Sequence, residues 1–408
     1  MCILFSCEKP YPPTGITEPS FPLPSTKGGL GGQIIKVTNL NADGGGSLSE
    51  ALQTTGPRII VFEVGGVIDF DRITLNITEP YVTVAGQTAP SPGITIIKGS
   101  IQITTHDVIV QHIMVRPGEA NQPKKSGWEP DGINVFGAEA YNVIVDHCSI
   151  TWAIDENLSA SGPQYEGRSG TSHNITFSNN IVAEALSFSS HSEGEHSKGS
   201  LIFDNVSKVV IIQNLYAHNA DRNPLFKTGS YGVVINNLIY NPSTQAIALD
   251  YDLSEYEGSS HEPEPPRLSI IGNVLLAGKD TPFYLAMISG FGEAYIHDNK
   301  AYKRNENNMD ITKKSVTVVS EMPVIIEDYE ILPVDLVENF IIENVGARPW
   351  DRDEIDERIV RSVSNGSGHI INSQNDIGGY PDYVSNYREL SMPETDTLGW
   401  LQSFILSE

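Results

Sequence analysis

A repeat along the chain constrains its fold more than any other feature. Seven segments share one pattern, in which alternating apolar residues precede a polar residue and then a His or Asn. The segments are VIVQHIMV, VIVDHCSI, ITFSNNIV, VIIQNLYA, VVINNLIY, SIIGNVLL and AYIHDNKAY, with the key positions His112, His147, Asn180, Asn214, Asn237, Asn273 and Asn299. Successive positions are 35, 33, 34, 23, 36 and 26 residues apart. Strand-like units at such spacings are typical of a solenoid.

Alternation of apolar and polar residues predicts strands, and each repeat is long enough for about three short strands with turns. We therefore predict an all-β chain folded as a right-handed parallel β-helix, with one Asn per coil hydrogen-bonded along a column. His112 and His147 would be satisfied interior residues of that column. A β-propeller or sandwich would need antiparallel pairs joined by tight turns, and such turn signals are sparse.

The strand rhythm sets the predicted domain boundaries. Residues 34–302 would form the β-helix, residues 1–33 an N-terminal segment, and residues 303–408 an extension packed along the solenoid. The stretch DGGGSLSEALQ predicts a short cap helix over the first coil, with Ser47 or Ser49 as its N-cap. In the extension, DRDEIDER favours a solvated helical face with i, i+4 ion pairs over a metal motif.

Charge and cysteine usage restrict the possible partners. The 51 acidic residues against 26 basic ones give a formal net charge of -25, which disfavours nucleic acid and anionic membranes. A polyanionic ligand would need local cations or a bound metal. Cys2, Cys7 and Cys148 are too few for a disulfide framework, and no apolar run approaches the length of a transmembrane segment.

The first residues, MCILFSCEKPYPP, resemble the tail of a bacterial lipoprotein signal in which Cys7 would carry lipid. The alternative is an ordinary N-terminal segment. We expect a protein that is secreted or anchored as a lipoprotein at the bacterial cell surface.

The repeat also serves as a ruler for charged residues. Asp155 lies eight residues after His147, and Arg222 lies eight after Asn214. Asp131 and Lys198 each lie sixteen before the same two positions, so two acids and two cations would occupy matching columns two coils apart. A separation of roughly 10 Å suits bound ions and an acidic ligand, and it is poor for direct salt bridges.

Two segments offer metal ligands. WEPDGIN and WAIDENLS supply the oxygen atoms of Glu129, Asp131, Asp155, Glu156 and Asn157, which suit calcium; alternatively, these residues only serve the turns. A third segment, SSHSEGEHSKG, invites a zinc site at His191 and His196. Its spacing fits no tight helical ligand pair, and a polar loop beside a groove is the favoured interpretation.

Three motifs carry a family resemblance. DGINVFGAEAYNVIVDHCSITWAIDENLS, HSKGSLIF and HNADRNPLFK resemble the pectate lyases of polysaccharide lyase family 1, over a pattern that runs from about residue 30 to residue 300. The resemblance implies a right-handed parallel β-helix that cleaves pectate by calcium-dependent β-elimination.

The resemblance also implies roles for individual residues. Asp131 and Asp155 would bind Ca²⁺, with Glu156 compensating for Ser159, which stands where the family has a further acid. Lys198 matches the family's lysine, and Arg222 matches the arginine that serves as the proposed base. Lys227 stands where a second arginine would bind the substrate carboxylate, so only a point charge remains. We expect His196 and Trp152 to contact the substrate as well.

The predicted function is that of a monomeric exported lyase acting on an anionic uronate-containing polysaccharide, most simply polygalacturonate. Arg222 as base is difficult because a free guanidinium has a pKa above 12, although crowding by Ca²⁺ and lysines would favour its neutral form. Lys198 is the alternative base. A glycoside hydrolase that uses paired carboxylates, or a non-catalytic carbohydrate-binding β-helix, remains an alternative function.

Overall fold

The structure is a computed structural model, and it describes residues 20–257, 264–304, 308–327, 329–393 and 395–406. Within these ranges the strands are β1 Ser20–Pro22, β2 Gln33–Val37, β3 Arg58–Phe62, β4 Val64–Asp69, β5 Thr74–Ile77, β6 Val82–Ala85, β7 Ile94–Ile97, β8 Ser100–Ile103, β9 Val108–Gln111, β10 Ile113–Arg116, β11 Ile133–Phe136, β12 Tyr141–Asp146, β13 Ser149–Thr151, β14 Glu156–Ser161, β15 His173–Ser178, β16 Ile181–Ala183, β17 Lys198–Ile202, β18 Ser207–Ile212, β19 Leu215–Ala217, β20 Leu225–Lys227, β21 Tyr231–Ile235, β22 Leu238–Tyr240, β23 Ile247–Asp250, β24 Arg267–Ile271, β25 Val274–Ala277, β26 Ile288–Gly290, β27 Glu293–His297, β28 Lys300–Lys303, β29 Thr317–Val318, β30 Ile325–Glu327 and β31 Asn386–Tyr387. The α-helices are α1 Leu48–Gln53, α2 Val334–Asn344, α3 Glu354–Asn365 and α4 Thr397–Leu406. Short 3₁₀ helices cover Gly86–Thr88, Gln164–Ser169, Ser254–Tyr256 and Gln374–Ile377.

Most of these strands stack into three parallel sheets, one on each face of a solenoid. The first sheet runs in the order β2, β3, β6, β9, β12, β15, β18, β21, β24, β27 and β29. The second runs from β4 through β7, β10, β13, β16, β19, β22 and β25 to β28, with β31 added antiparallel to β4. The third runs from β5 through β8, β11, β14, β17, β20 and β23 to β26. The predicted parallel β-helix is therefore confirmed.

The interior of the solenoid is filled by the apolar side chains that alternate along its strands. Val110, Val145, Phe177 and Ile211 belong to one continuous core and are all 0% exposed. They occupy equivalent positions in β9, β12, β15 and β18, so each coil stacks its apolar side chains on those of its neighbours. Burial of such a column is the main stabilising contribution to a fold of this kind.

An asparagine column lines the corner between the first and second sheets. In this column each Asn accepts a hydrogen bond from the Asn before it, through Asn180, Asn214, Asn237, Asn273 and Asn299, at 3.0 Å in every side-chain step. The column confirms the predicted stacking of one Asn per coil over these five coils. Its side chains also donate to backbone carbonyl oxygens that the corner would otherwise leave unsatisfied.

The register of the first two repeats differs from the prediction. Ser149 pairs with Ile181, which places Cys148, and not His147, opposite Asn180. The Cys148 amide donates to Asn180 Oδ1 at 2.8 Å and so occupies the ladder position of its coil. His112 and His147 precede the ladder position and adopt positive φ angles of 58° and 47°, as Asn179 does at 54°. His112 is buried and satisfied by Ala347 O, but it is not a rung of the column.

A short helix covers the first coil of the solenoid. Ser47 is the N-cap of α1, and its side chain accepts from the Glu50 amide, which confirms one of the two predicted caps. Ser49 instead donates to Ala42 O. Arg58 is buried beneath the helix and donates to Leu52 O at 2.8 Å, so that α1 is held over the first coil.

Beyond residue 303, α2 and α3 pack on the second sheet, whereas β29 joins the first sheet and α4 packs against it. One expectation about this region is wrong. DRDEIDER forms the start of α3, but Asp353 and Asp356 are buried rather than solvated. Both bind the fully buried Arg116 of β10, Asp353 through two hydrogen bonds and Asp356 through one at 2.9 Å. The i, i+4 pair Glu357–Arg361 lies on the exposed side. The acidic sequence therefore anchors the extension to the solenoid.

Two further observations concern the predicted localisation. No helix among the described residues is long and apolar enough to cross a membrane. Cys2 and Cys7, and with them the predicted lipid attachment, lie outside the described residues, while Cys148 is buried with a free thiol.

Candidate active site

The predicted site residues gather where second-sheet strands turn into third-sheet strands. Glu156 opens β14 and pairs in register with Lys198, which opens β17. Extending the first register places Asp131 opposite Glu156, and on the other side Lys198 forms an isolated bridge with Asp221, the residue before Arg222. These residues therefore lie together across four neighbouring coils.

Three carboxylates form the acidic half of the site. Asp131, Asp155 and Glu156 each offer an oxygen atom, and these atoms lie within 4.8 Å of one another. Asp131 accepts hydrogen bonds from the Glu156 amide at 3.1 Å and from Ser159 Oγ at 2.5 Å. The residue that replaces a family acid thus supports Asp131 with a hydrogen bond.

Burial and mutual repulsion govern the ionisation of these carboxylates. Burial, and then the charge of Asp155, raise the pKa of Asp131 to about 7. Burial and the charges of Asp131 and Asp155 likewise raise the pKa of Glu156 well above its usual range. Burial also disfavours ionisation of Asp155, but the hydrogen bond and charge of His196 lower its pKa overall. A divalent cation would relieve this repulsion, and carboxylate oxygens are the donors that calcium prefers. The three residues fit a calcium ion.

The cations of the site are paired, contrary to prediction. Arg222 forms an ion pair with Glu156, and Lys198 Nζ lies 2.9 Å from Asp221 Oδ2. The prediction used the spacing of coils along the axis, but the arginine side chain is long enough to cross the intervening strand β17. Arg222 also faces Glu156 rather than Asp155. Residue counting had placed the acids and cations in two columns, whereas in the structure they lie in one.

Two histidines adjoin Asp155. His196 Nε2 lies 2.7 Å from Asp155 Oδ1, and the His191 ring stacks on the His196 ring with centroids 3.7 Å apart and planes 14° from parallel. The three side chains could offer ligand atoms within 4.8 Å of one another. A metal bound by imidazole lies near the plane of the ring, and one ion cannot lie in two stacked, nearly parallel planes. The observed rings therefore fit a hydrogen-bonded wall of the site better than zinc.

Two other predicted calcium ligands have different partners. Glu129 Oε1 accepts from the Ser192 amide at 2.6 Å and lies 3.9 Å from His191 Nδ1. Asn157 is fully buried; its Oδ1 accepts from the Ala153 amide, and its Nδ2 donates to Ala183 O and Asn219 Oδ1. The interpretation of Asn157 as a ligand is wrong, since it closes a turn.

Trp152 was predicted to contact substrate, and this prediction is wrong. Its side chain is 0% exposed, its Nε1 donates to Glu184 Oε2 at 3.0 Å, and Tyr380 packs against its ring. The residue lies beneath the C-terminal extension, which sequence reasoning did not place there. Lys227 also differs from expectation, because its ammonium group binds both oxygens of Glu255.

Sequence reasoning missed two acids that neutralise the cations. Asp221 directly precedes Arg222, so the adjacent pair of opposite charges was a usable signal. Glu255 lies in the Ser254–Tyr256 helix, in an insertion outside the repeat, and no spacing connected it with Lys227.

The solenoid and its acid and cation cluster define a polysaccharide lyase of the parallel β-helix class. Comparison with protein-family models gives no match. Among curated proteins, probable pectate lyase C of Aspergillus terreus is 31% identical over 371 residues, which cover 87% of this chain and 78% of the relative. Probable pectate lyase C of Emericella nidulans is 31% identical over 369 residues, with 87% and 77% covered. The chain belongs to the pectate lyase family.

Solved structures agree in fold. The thermostable pectate lyase PL 47 aligns with a TM-score of 0.56 and 15% identity, over 79% of this chain and 94% of that chain. The cedar pollen allergen jun a 1 aligns with a TM-score of 0.55 and 14% identity, over 79% and 90%. The predicted resemblance to pectate lyases is confirmed, while membership of family 1 and the roles of single residues stay predictions.

Proposed function

We propose that the protein cleaves polygalacturonate, or a closely related uronate polymer, by calcium-dependent β-elimination. The observation that carries this proposal is the cluster of Asp131, Asp155 and Glu156 beside Lys198 and Arg222. A cluster of this composition can hold a metal and an acidic sugar together, which an otherwise strongly negative surface would repel.

Asp131, Asp155 and Glu156 would hold the calcium ion. When bound, calcium would withdraw charge from the uronate carboxylate and make the neighbouring C5 proton more acidic. The chain's own residues would orient the sugar and accept that proton.

The reaction needs a base close to C5 of the uronate. The base removes the C5 proton, the electron pair forms the C4=C5 double bond, and the glycosidic oxygen at C4 leaves with a proton from solvent. We propose Arg222 for the base, as the resemblance implies, with Lys198 as the alternative. Glu156 holds Arg222 just before β20, and Asp221 holds Lys198 at the start of β17.

The proposal extends to location and assembly. Uronate polymers of this kind are met outside the cell, so we expect an exported enzyme that acts as a monomer. The curated relatives are fungal. A bacterial lipid anchor at Cys7 has no support beyond the sequence around it.

Mass spectrometry of the products tests the reaction type. Elimination splits an oligogalacturonate without adding atoms, so one product is lighter by one water than the corresponding hydrolysis product. We expect this lighter product from the wild-type enzyme with calcium, and a rate about 10²–10⁴ lower for Arg222→Lys. Products that have gained a water would instead establish hydrolysis, and binding without products would establish a carbohydrate-binding protein.

A further inference from the structure

Lys227 is covered by an acid that no sequence motif indicated. Its Nζ donates to both carboxylate oxygens of Glu255, at 2.8 and 2.7 Å. The Lys227 side chain is 11% exposed, whereas that of Glu255 is 34% exposed. A ligand that approaches this part of the third sheet therefore meets a carboxylate before it meets the ammonium group.

Further acids surround the same lysine. Asp250 is its partner on the neighbouring strand β23. Asp204 is fully buried and acts electrostatically on the same pair, since both Lys227 and Glu255 contribute to its ionisation. One ammonium thus stands among three carboxyl groups, and this region offers no net positive charge.

Most of the N–H donors of the Lys227 ammonium group are already engaged by the protein. An ammonium group has three N–H donors, and two of them point to Glu255. An arginine at this position could serve a carboxylate of the protein and one of the substrate together, because its fork carries five donors. Lysine cannot do both with comparable geometry.

Lys227 lies further along the third sheet than the catalytic cluster. It lies five residues after Arg222, so the two residues are at most about 18 Å apart along the chain. Lys227 closes β20 next to Phe226, which belongs to the interior core, so the Lys227 side chain points outward; Arg222 precedes the first residue of the strand by three positions. A polymer bound across this sheet could place one uronate at the cluster and a neighbouring one at Glu255.

We infer that Glu255 determines specificity, and that the subsite at Lys227 accepts a galacturonate residue as its neutral methyl ester. This inference rests on the proposed function. An ionised carboxylate at the subsite would face the Glu255 carboxylate, and like charges brought together at a binding surface disfavour that ligand. A methyl ester carries no charge and meets no such repulsion.

Steady-state kinetics of Glu255→Gln tests the inference. We would measure kcat/KM for fully de-esterified polygalacturonate and for highly methyl-esterified pectin, both with calcium. The substitution removes the repulsion and frees Lys227, so it should raise the ratio of de-esterified to esterified kcat/KM about tenfold. Lys227→Met combined with Glu255→Gln should lose most of that gain, and Glu255→Asp should keep the wild-type ratio. Glu257→Gln removes the same charge nearby and is the matched control.

The inference is overturned if Glu255→Gln leaves the ratio within twofold of wild type, or if Glu257→Gln shifts it equally. Failure of the proposed function looks different, because wild type would cleave neither polymer. Calorimetry would then test the inference through the ratio of the Kd values for de-esterified and esterified oligogalacturonates, compared between wild type and Glu255→Gln.

Discussion

Ser159 stands where the family resemblance implies a further carboxylate, and its hydroxyl donates to Asp131 at 2.5 Å. The substitution reduces the number of charged ligands, and a hydrogen bond to a neighbour replaces the missing charge. Affinity for calcium depends strongly on the number of ligand charges. At the scale of single residues, we therefore expect this position to set how tightly the site can hold a metal.

We predict opposite effects of Ser159→Asp with and without calcium. In a chelating buffer the added carboxylate repels Asp131 and Glu156, so the Tm should fall by several degrees. In millimolar calcium the added ligand should raise metal affinity about tenfold, and binding to the native state should restore the Tm or raise it. Differential scanning calorimetry in the two buffers measures both effects. Ser161→Asp, two residues further along β14, is the control, and an equal response from it would contradict the account.

Two buried histidines, His112 and His218, should make the free energy of unfolding depend on pH. Burial, and then the charge of His147, lower the pKa of His112 to about 3, and burial lowers that of His218 to about 4. Both pKa values lie below the value of about 6.5 that is usual for histidine in an unfolded chain. At a pH between the folded and unfolded values, the unfolded chain therefore binds more protons than the folded protein. The stability that neutral His112 and His218 contribute is complete above pH 6.5 and is lost as pH falls toward 4 and 3.

Urea unfolding at pH 7 and pH 5 measures this loss. Each histidine should account for about 2 kcal/mol of the free energy of unfolding lost between the two values. His112→Asn should lose correspondingly less, because Asn does not titrate and tolerates the positive φ of 58° at this position. An identical loss in wild type and His112→Asn would refute the assignment.

The asparagine column is the element that fixes the register of successive coils. Asn237 donates to Ile211 O, Ile235 O and Asn273 Oδ1, and its own Oδ1 accepts from Asn214. Every partner is buried, so removal of the side chain leaves several polar groups without a hydrogen bond. A residue at the last rung, such as Asn299, is partly exposed and can use water instead.

We therefore predict that Asn237→Ala lowers the free energy of unfolding by about 2–4 kcal/mol, from lost hydrogen bonds and unsatisfied carbonyl groups. Asn299→Ala should cost less than half as much. Chemical denaturation of the two variants provides the comparison. Equal costs at the two positions would show that the column does not act through buried hydrogen bonds.

The sequence predicted elements well where the repeat was regular. Period-two alternation placed the strands, and the Asn rungs after Asn180 were assigned correctly. The first two rungs were misassigned by one residue, because His112 and His147 were taken for the ladder positions of their coils. In the coil of His147 the ladder position is held by Cys148. Beyond residue 330 the sequence indicated only the helix at DRDEIDER, since no repeat guides that region, and it did not show that the acids of this helix are buried against a distant arginine, Arg116.

The candidate site was predictable only in part, for a related reason. Residue spacing brought Asp131, Asp155, Lys198 and Arg222 to one place, because coils stack in register. Spacing gave no information about side-chain reach, so the pairing of Arg222 with Glu156 was missed. It also could not show that the extension buries Trp152, or that an insertion brings Glu255 to Lys227.

At the scale of the whole molecule, a rigid solenoid presents one sheet and its adjoining turns as a continuous surface for a polymer. Parallel stacking holds charged residues from four coils within reach of one another, although they are distant in sequence. A strongly acidic protein can then bind an acidic polymer because charge compensation is local. The central claim is that the Asp131 cluster makes elimination depend on calcium.

The ultraviolet absorbance of the reaction with polygalacturonate tests this claim most directly, because elimination creates a conjugated double bond. We predict that absorbance rises in calcium, stops when a chelator is added, and rises at least about a hundredfold more slowly for Asp131→Asn. Asp335→Asn, which alters a carboxylate that is 80% exposed on α2, should behave as wild type. Absorbance that is absent in calcium, or that rises equally with chelator and in Asp131→Asn, would contradict the account.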